Sequence, residues 1–333
     1  MAATMRDLSR YTNLSIGVIS KYFNGKPIRE SNKKLIEDAI EALDYKLNST
    51  ARSLKTKRTY SVGIIIPRLQ NAFNTSIVEK LESYLQQIGY SIILVSSGGD
   101  VGRQQQCIQF LLDKRVDAVI MIPTGDSEDC VELLKKENIP LLIMDQKIES
   151  TYCDSVLLNN TKAGYIATKC LIEKGHKKIA VVTGHDNYYT ARERVSGCRQ
   201  AFSEANLDFD ESLVIKTDNT SLESCRMFGE MLDQNKGITA VLSTNYETTL
   251  GAVMALNEHN KKIPKDISVV GFDSMELSKI VVPHLSIVEQ PIEKISEAAF
   301  KLLLARINDF SLPTQNIIID AEYLEGESVE DIR

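Results

Sequence analysis

Tryptophan is missing from the 333 residues, and aromatics as a whole reach only 6%. With 43% hydrophobic residues, the core must therefore be built mainly from aliphatic side chains. The six cysteines (Cys107, Cys130, Cys153, Cys170, Cys198, Cys225) form no C-x-x-C pair, and no histidine stands at ligand spacing beside them. That excludes a zinc motif and a disulfide framework and leaves reduced, mostly buried thiols as the expectation. The four histidines, His176, His185, His259 and His284, are scattered, and His176 falls in a helix-to-strand turn where a structural role is expected. There is no Walker loop and no G-x-S-x-G, and Gly98-Gly99-Asp100 is too short for a dinucleotide fingerprint. No catalytic residue, metal site or cofactor is expected, and the chain does not read as an enzyme. No apolar run reaches 18 residues, and the opening MAATMRDLSR has no apolar signal core. A cytoplasmic protein that neither spans nor crosses a membrane is expected.

What is present is unevenly distributed. The formal net charge is −6, yet residues 1–58 hold 12 Lys and Arg against 6 Asp and Glu. The remaining chain holds 27 basic against 39 acidic residues. A basic head on an acidic body suits contact between the head and a polyanion.

Residues 4–44 read as three short helices. Thr4 is placed to cap the first, with Met5, Leu8 and Tyr11 on one face. Asn13 breaks the run. Ser15 is placed to cap a second helix with a buried stripe of Val18, Ile19, Tyr22 and Phe23, stopped by Asn24-Gly25. Ser31 is placed to cap a third, with Leu35, Ile36, Ala39, Ile40 and Leu43 inward. The tight connection between the first two predicts a helix-turn-helix. Its second helix then turns Ile16, Gly17, Ser20 and Lys21 outward, small enough for close approach to a groove, with Lys21 as a donor to a base edge or phosphate. After it, NSTARSLKTKR (48–58) offers Asn48 as cap of a short helix carrying Ala51 and Leu54, with Arg52, Lys55, Lys57 and Arg58 around it. So short and polar a segment needs a partner to order it.

From Val62 onward, apolar runs alternate with amphipathic helices. Strands are expected at 62–67, 90–97, 116–123 and 140–145, and again at 177–184, 212–217, 237–244 and 267–273, with helices near 74–88, 102–115, 127–138, 161–174, 191–207, 221–235 and 245–260. This pattern predicts an α/β body of two similar lobes with parallel sheets. The cleft between them would be lined by the carboxyl ends of strands, where open α/β sheets bind ligands. Polar residues cluster at those ends: Asn71 and Asn74, Asp145, Asn245 and Asp273, with Arg192 and Arg194 opening a helix after TGHDNYY.

The residues in their order resemble the lac repressor (LacI/GalR) family of transcriptional regulators over essentially the whole chain. TMRDLSRYTNLSIGVISKYFNG is similar to its helix-turn-helix, NSTARSL to its hinge helix, and VGIIIP, KGHKKIA, Arg194-Val-Ser-Gly197, DISVVGFD and VEQP to its body. The resemblance implies a head at 1–47, a hinge at 48–59 and a two-lobed periplasmic-binding-protein-like body at 60–333. The N-lobe would take about 60–158 plus 290–318, and the C-lobe about 159–289 plus 319–333. It implies a homodimer on a pseudo-palindromic double-stranded operator, with Ser15, Ile16, Gly17, Ser20, Lys21 and Asn24 at the major groove. Asn48, Ala51, Arg52, Leu54 and Lys55 would belong to the hinge, Leu54 wedging into the minor groove. Asn71, Phe73, Asn74, Asp145, Arg194, Asn245, Asp273 and Gln290 match its effector site, and the implied effector is a small molecule, a sugar or sugar derivative. EYLEGESVEDIR carries no leucine heptad, so a dimer rather than a tetramer is expected.

The chain departs from the family in three places. Asn71-Ala72-Phe73-Asn74 stands where Asn-Pro-Phe-Phe is usual, Asn245-Tyr246 where an Asn-Asp pair is usual, and Ser20-Lys21 where Ser-Arg is usual. Lysine loses the bidentate geometry of arginine. A nucleobase co-repressor or a phosphoprotein partner is the alternative within the family. A sugar-binding transport protein shares the body but lacks the basic head and needs export.

Overall fold

A computed structural model describes residues 3–23, 27–45, 56, 58–125, 127–148, 152–234, 237–273 and 275–333. It falls into two units, Met1–Thr59 and Tyr60–Arg333. Asn24, Asn48, Ala51, Arg52, Leu54 and Lys55 lie outside the described residues.

The first unit contains α1 (Met5–Thr12), α2 (Ile16–Phe23) and α3 (Glu30–Ala42). Thr4 caps α1 in a reciprocal box with Asp7. Ser15 Oγ accepts from the Val18 amide at the start of α2. Leu8, Ile19, Ile36, Ala39 and Tyr45 form the small core, with Leu14, Tyr22, Phe23, Ile40 and Leu43 packed around it.

Three expectations for the head are corrected. Tyr11 is 58% exposed; the inward position one turn after Leu8 belongs to Thr12, whose hydroxyl donates to the Leu8 carbonyl. Ser31 is no cap, because α3 begins one residue earlier, with Arg29 at its cap position and no side-chain bond there. Leu35 is exposed, because the face set by Ile36 and Ala39 turns it to the flank.

The second unit is two six-stranded sheets. The first has the order β11-β5-β4-β3-β1-β2 and the second β12-β10-β9-β8-β6-β7. In chain order the elements of the first are β1 (Ser61–Ile66), α4 (Ala72–Gln87), β2 (Ser91–Ser96), α5 (Val101–Asp113), β3 (Ala118–Met121), α6 (Glu128–Lys136), β4 (Leu141–Met144) and β5 (Asp154–Leu158). Those of the second are α7 (Asn160–Glu173), β6 (Ile179–Gly184), α8 (Tyr189–Glu204), β7 (Val214–Thr217), α9 (Ser221–Gln234), β8 (Ala240–Ser243), α10 (Tyr246–Glu258), β9 (Ser268–Phe272), α11 (Met275–Ile280) and β10 (Ser286–Glu289). The chain then returns through α12 (Ile292–Asn308) and β11 (Asn316–Ile319) to the first lobe, and ends with β12 (Glu322–Leu324) in the second. The central strands β1, β3, β4, β6, β8 and β9 are almost wholly buried and aliphatic, as strands covered on both faces must be.

The second sheet is not entirely parallel. β12 pairs antiparallel with β10. The two lobes otherwise repeat one plan, and both reverse strand order beside their first strand, β1 or β6. The chain passes between lobes three times: after β5, after β10 and after β11. An ion pair between Arg306 and Asp154 fixes the return, with both oxygens of Asp154 engaged at 2.9 and 3.0 Å. Arg306 also donates to the carbonyls of Phe310 and Pro313, so this buried charge is fully partnered.

Candidate functional site

In the head, α2 presents Ile16, Gly17 and Lys21 to solvent, Ile16 being 44% exposed, while Ile19 is fully buried and anchors the helix. Ser15 is exposed and Ser20 half-buried. A side chain at Gly17 would meet only Ser15 Oγ, at 3.7 Å, so nothing inside the head demands glycine. The surface is therefore a short helix with a small residue at its outer face and a lysine in its last turn.

In the body, the carboxyl ends of the strands open onto a cavity of about 130 Å³ between the lobes. Asn71, Phe73, Asn74, Asp145, Arg194, Asn245, Asp273 and Gln290 all line it. Arg192 does not; it is exposed and bonds the Asp186 carbonyl, so the two arginines that open α8 face different ways.

Each lobe contributes one aspartate in the same manner. Asp145 follows β4 and Asp273 follows β9, both with left-handed backbone (φ 59° and 52°). Their amides donate to equivalent carbonyls, Val156 on β5 and Val288 on β10. Asp tolerates this conformation better than branched residues do. Burial pushes the Asp145 carboxyl up to about 6, against the pull of Arg194. Burial also raises Asp273, opposed by Arg194 and by a 2.7 Å bond from Gln290 Nε2.

Arg194 is 4% exposed. Its Nε donates to Asn160 Oδ1 at 2.8 Å, its Nη1 to the Thr244 carbonyl, and its plane lies 4.5 Å from the Phe272 ring centroid. The helices α7 and α8 hold it there by backbone contact: a Cβ on Gly164 would sit 1.9 Å from the Arg194 carbonyl. Asn71 caps α4 through Asn74 N and donates across the cleft to Glu247 Oε1 at 2.9 Å. Asn245 caps α10 and donates to Asn219 at 2.7 Å.

Sequence reasoning missed several lining residues: Arg68, Gln146, Tyr188, Thr190, Asp218, Asn219, Tyr246 and Glu247. Gln146 Oε1 accepts from the Tyr189 amide at 3.3 Å, a second bond between lobes. Glu247 lies in the first turn of α10, where acidic residues are common for dipole reasons alone; its only signal was its place two residues after a strand-end cap. Among the described residues, no group of three or more His, Cys, Asp or Glu side chains is arranged to hold a metal ion, and the six cysteines are free. No helix of the described residues is long and apolar enough to cross a membrane.

Such a molecule is a helix-turn-helix head joined to a two-lobed ligand-binding body. The family described as "Periplasmic binding proteins and sugar binding domain of LacI family" matches residues 59–327. The HTH-type transcriptional repressor PurR of Vibrio atlanticus strain LGP32 is 32% identical over 332 residues, covering 99% of both chains. The lac repressor dimer bound to operator and the anti-inducer ONPF superposes with a TM-score of 0.85 over 99% of this chain and all of that one, at 22% identity. A LacI family regulator from Enterococcus faecium with bound ribose gives 0.75 over 82% of this chain and 100% of that one, at 24% identity. The chain belongs to the LacI family of DNA-binding transcriptional regulators. It is a repressor-type regulator with an effector-binding body, and not an enzyme.

Proposed function

We propose that this protein is a cytoplasmic homodimeric repressor whose affinity for a pseudo-palindromic operator is set by a small polyhydroxylated ligand, a sugar or sugar derivative, between the lobes. The head at 1–47 reads the operator through Ser15, Ile16, Gly17, Ser20, Lys21 and Asn24. The hinge at 48–59 orders on DNA, with Asn48, Ala51, Arg52, Leu54 and Lys55 in contact. The N-lobe (about 60–158 plus 290–318) and the C-lobe (about 159–289 plus 319–333) close on the ligand.

One observation carries the reading: eight polar or aromatic residues from both lobes converge on a single cavity. Amides and carboxylates suit bidentate bonds to hydroxyls, and Phe73, Tyr188 and Tyr246 offer flat apolar walls for a ring. Arg194 bonds Asn160, and Asp273 bonds Gln290; Asn160 directly follows the crossing after β5 and Gln290 opens the crossing after β10. A ligand that pulls on either charge therefore acts on the segments that set lobe orientation. The bound ribose of the Enterococcus faecium regulator is consistent with a sugar in such a cleft.

The test is selection of binding sites from a random duplex library with the purified full chain, alone and with panels of sugars and nucleobases. Enrichment of a palindrome with half-sites in successive major grooves, released or strengthened by a sugar, is the expected result. A palindrome that responds only to nucleobases would replace the ligand class. No enrichment under any ligand would overturn the operator reading.

A further inference from the structure

The usual Asn-Asp pair at the start of α10 is Asn245-Tyr246 in this chain, and a carboxylate is lost there. The structure supplies another one position on. Glu247 turns into the cleft, half-buried, and accepts the bond from Asn71 of the opposite lobe. The cavity is thus lined by four carboxylates, Asp145, Asp218, Glu247 and Asp273, against two guanidiniums, Arg68 and Arg194.

Arg194 does not neutralise them all. Two of its nitrogens are held by Asn160 and the Thr244 carbonyl, and its face by Phe272. Arg68 is exposed at the rim, where its charge acts on Asp218 and more weakly than burial on Glu247, whose carboxyl stays raised. An adjoining cavity shares Phe73, Tyr246, Asp273 and Gln290 with the first, and adds Glu276 and Glu289. Lys279 offsets Glu289 only in part, since that carboxyl remains raised by burial and by Asp273. Among the described residues, none of these acids cluster in a metal-binding arrangement. The excess negative charge is spread over a volume fit for an organic molecule.

A second, independent observation marks the same place. Gln290 is 3% exposed, and among the described residues its Oε1 has no hydrogen-bond partner while its Nε2 is bound to Asp273. A buried acceptor without a donor costs free energy that a ligand N–H or O–H recovers. A neutral ligand would satisfy this acceptor but leave the excess negative charge of the half-buried carboxylates uncompensated, and an anionic ligand would add to it.

We propose that the effector carries a protonated amine, an amino sugar being the class, with Glu247 and Asp273 as the groups that select the charge and Gln290 Oε1 as a further acceptor. The inference rests on the polyhydroxylated reading of the cleft and adds the sign of the ligand's charge. The three aromatic walls fit it, since rings attract a cation to their faces as well as packing on a sugar ring.

Calorimetry and thermal shift on the full chain at near-neutral pH decide the matter. The probes are glucosamine, galactosamine and mannosamine, their parent hexoses, their N-acetyl forms, the diamine cadaverine and the base hypoxanthine. At least one amino sugar is expected to bind about tenfold or more tighter than both its hexose and its N-acetyl form. Glu247→Gln, which keeps shape and the means to meet Asn71, is expected to bring that ratio towards one. A circular-dichroism melt of the variant checks that it folds. Hexoses binding as tightly as the amino sugars would overturn the charge and leave the sugar reading standing. Binding of cadaverine alone would keep the charge and overturn the sugar. Binding of hypoxanthine alone, or silence from every amine, would overturn the proposal.

Discussion

Asp145 and Asp273 show how a single residue type is placed twice by one fold. Each takes a left-handed turn directly after a buried strand, and each carries its carboxyl into the cleft. Among the described residues no side chain donates a hydrogen bond to Asp145, and burial raises its pKa from the ordinary 3.8 to about 6. A raised carboxyl favours the fold only while protonated, so its contribution is fully present below about 4 and is lost as pH rises through 6. Asp145→Asn, which tolerates the same backbone, is therefore expected to raise the melting temperature of the ligand-free protein at pH above 7. The gain should shrink as pH falls through 6; a gain independent of pH would contradict the account. Gly17 makes a second residue-scale case. With open space around it, Gly17→Ala should stabilise α2 by about 0.8–1 kcal/mol, measured on the melting of the head. The same variant should weaken operator binding if the outer face of α2 meets the groove. Unchanged operator affinity would remove Gly17 from the interface.

At this scale Asn71, Asn74, Asp145, Asn245 and Asp273 were legible as cleft-lining positions because polar residues recur at equivalent ends of apolar strands, while Phe73 and Gln290 were reached only through the family resemblance. Arg192 and Arg194 were both legible from their place after TGHDNYY, but their facing was not, since two residues within one turn of a helix do not fix its orientation. Glu247 was hidden: the substituted position before it drew attention to a lost carboxylate, and only the geometry of the first turn of α10 reveals its replacement.

Among elements, the close pair α7 and α8 gives the site its rigidity. A Cβ on Gly197 would lie 1.9 Å from the Thr161 carbonyl, and one on Gly164 equally close to that of Arg194. The R-x-x-G pattern of Arg194 and Gly197 is thus one device: the arginine enters the cleft, and the glycine one turn on lets the helix seat against α7. Gly197→Ala has to spread the two backbones and should cost about 1–3 kcal/mol in urea unfolding, as overpacking does. Ligand affinity should fall with it. Full stability with full affinity would show that the helices have slack. The helices and strands of the regular β-α alternation were readable from periodicity. The strands β5, β10, β11 and β12 were not read as strands; they flank the crossings between lobes, outside the regular strand-helix alternation that periodicity shows. β12 is the antiparallel edge. In the head, the corrections at Tyr11, Ser31 and Leu35 share a reason: helices of 8 to 13 residues have too few turns for sequence to fix the orientation of flank residues.

Across the body, Asn71 to Glu247 and Tyr189 to Gln146 bridge the two lobes over the cleft, and three crossing segments join them. The ligand-lining charges Arg194 and Asp273 bond Asn160 and Gln290 at two of those crossings. The central claim is that cleft and operator are two sites of one coupled equilibrium. Linkage then requires that a ligand changing operator affinity by some factor has its own affinity changed by the same factor when operator is bound. The most direct test is a pair of titrations on the full chain: operator binding by fluorescence anisotropy with and without saturating ligand, and ligand binding by calorimetry with and without saturating operator. The account predicts equal factors of about 5–150. A ligand that binds the cleft tightly and leaves operator affinity unchanged would contradict it.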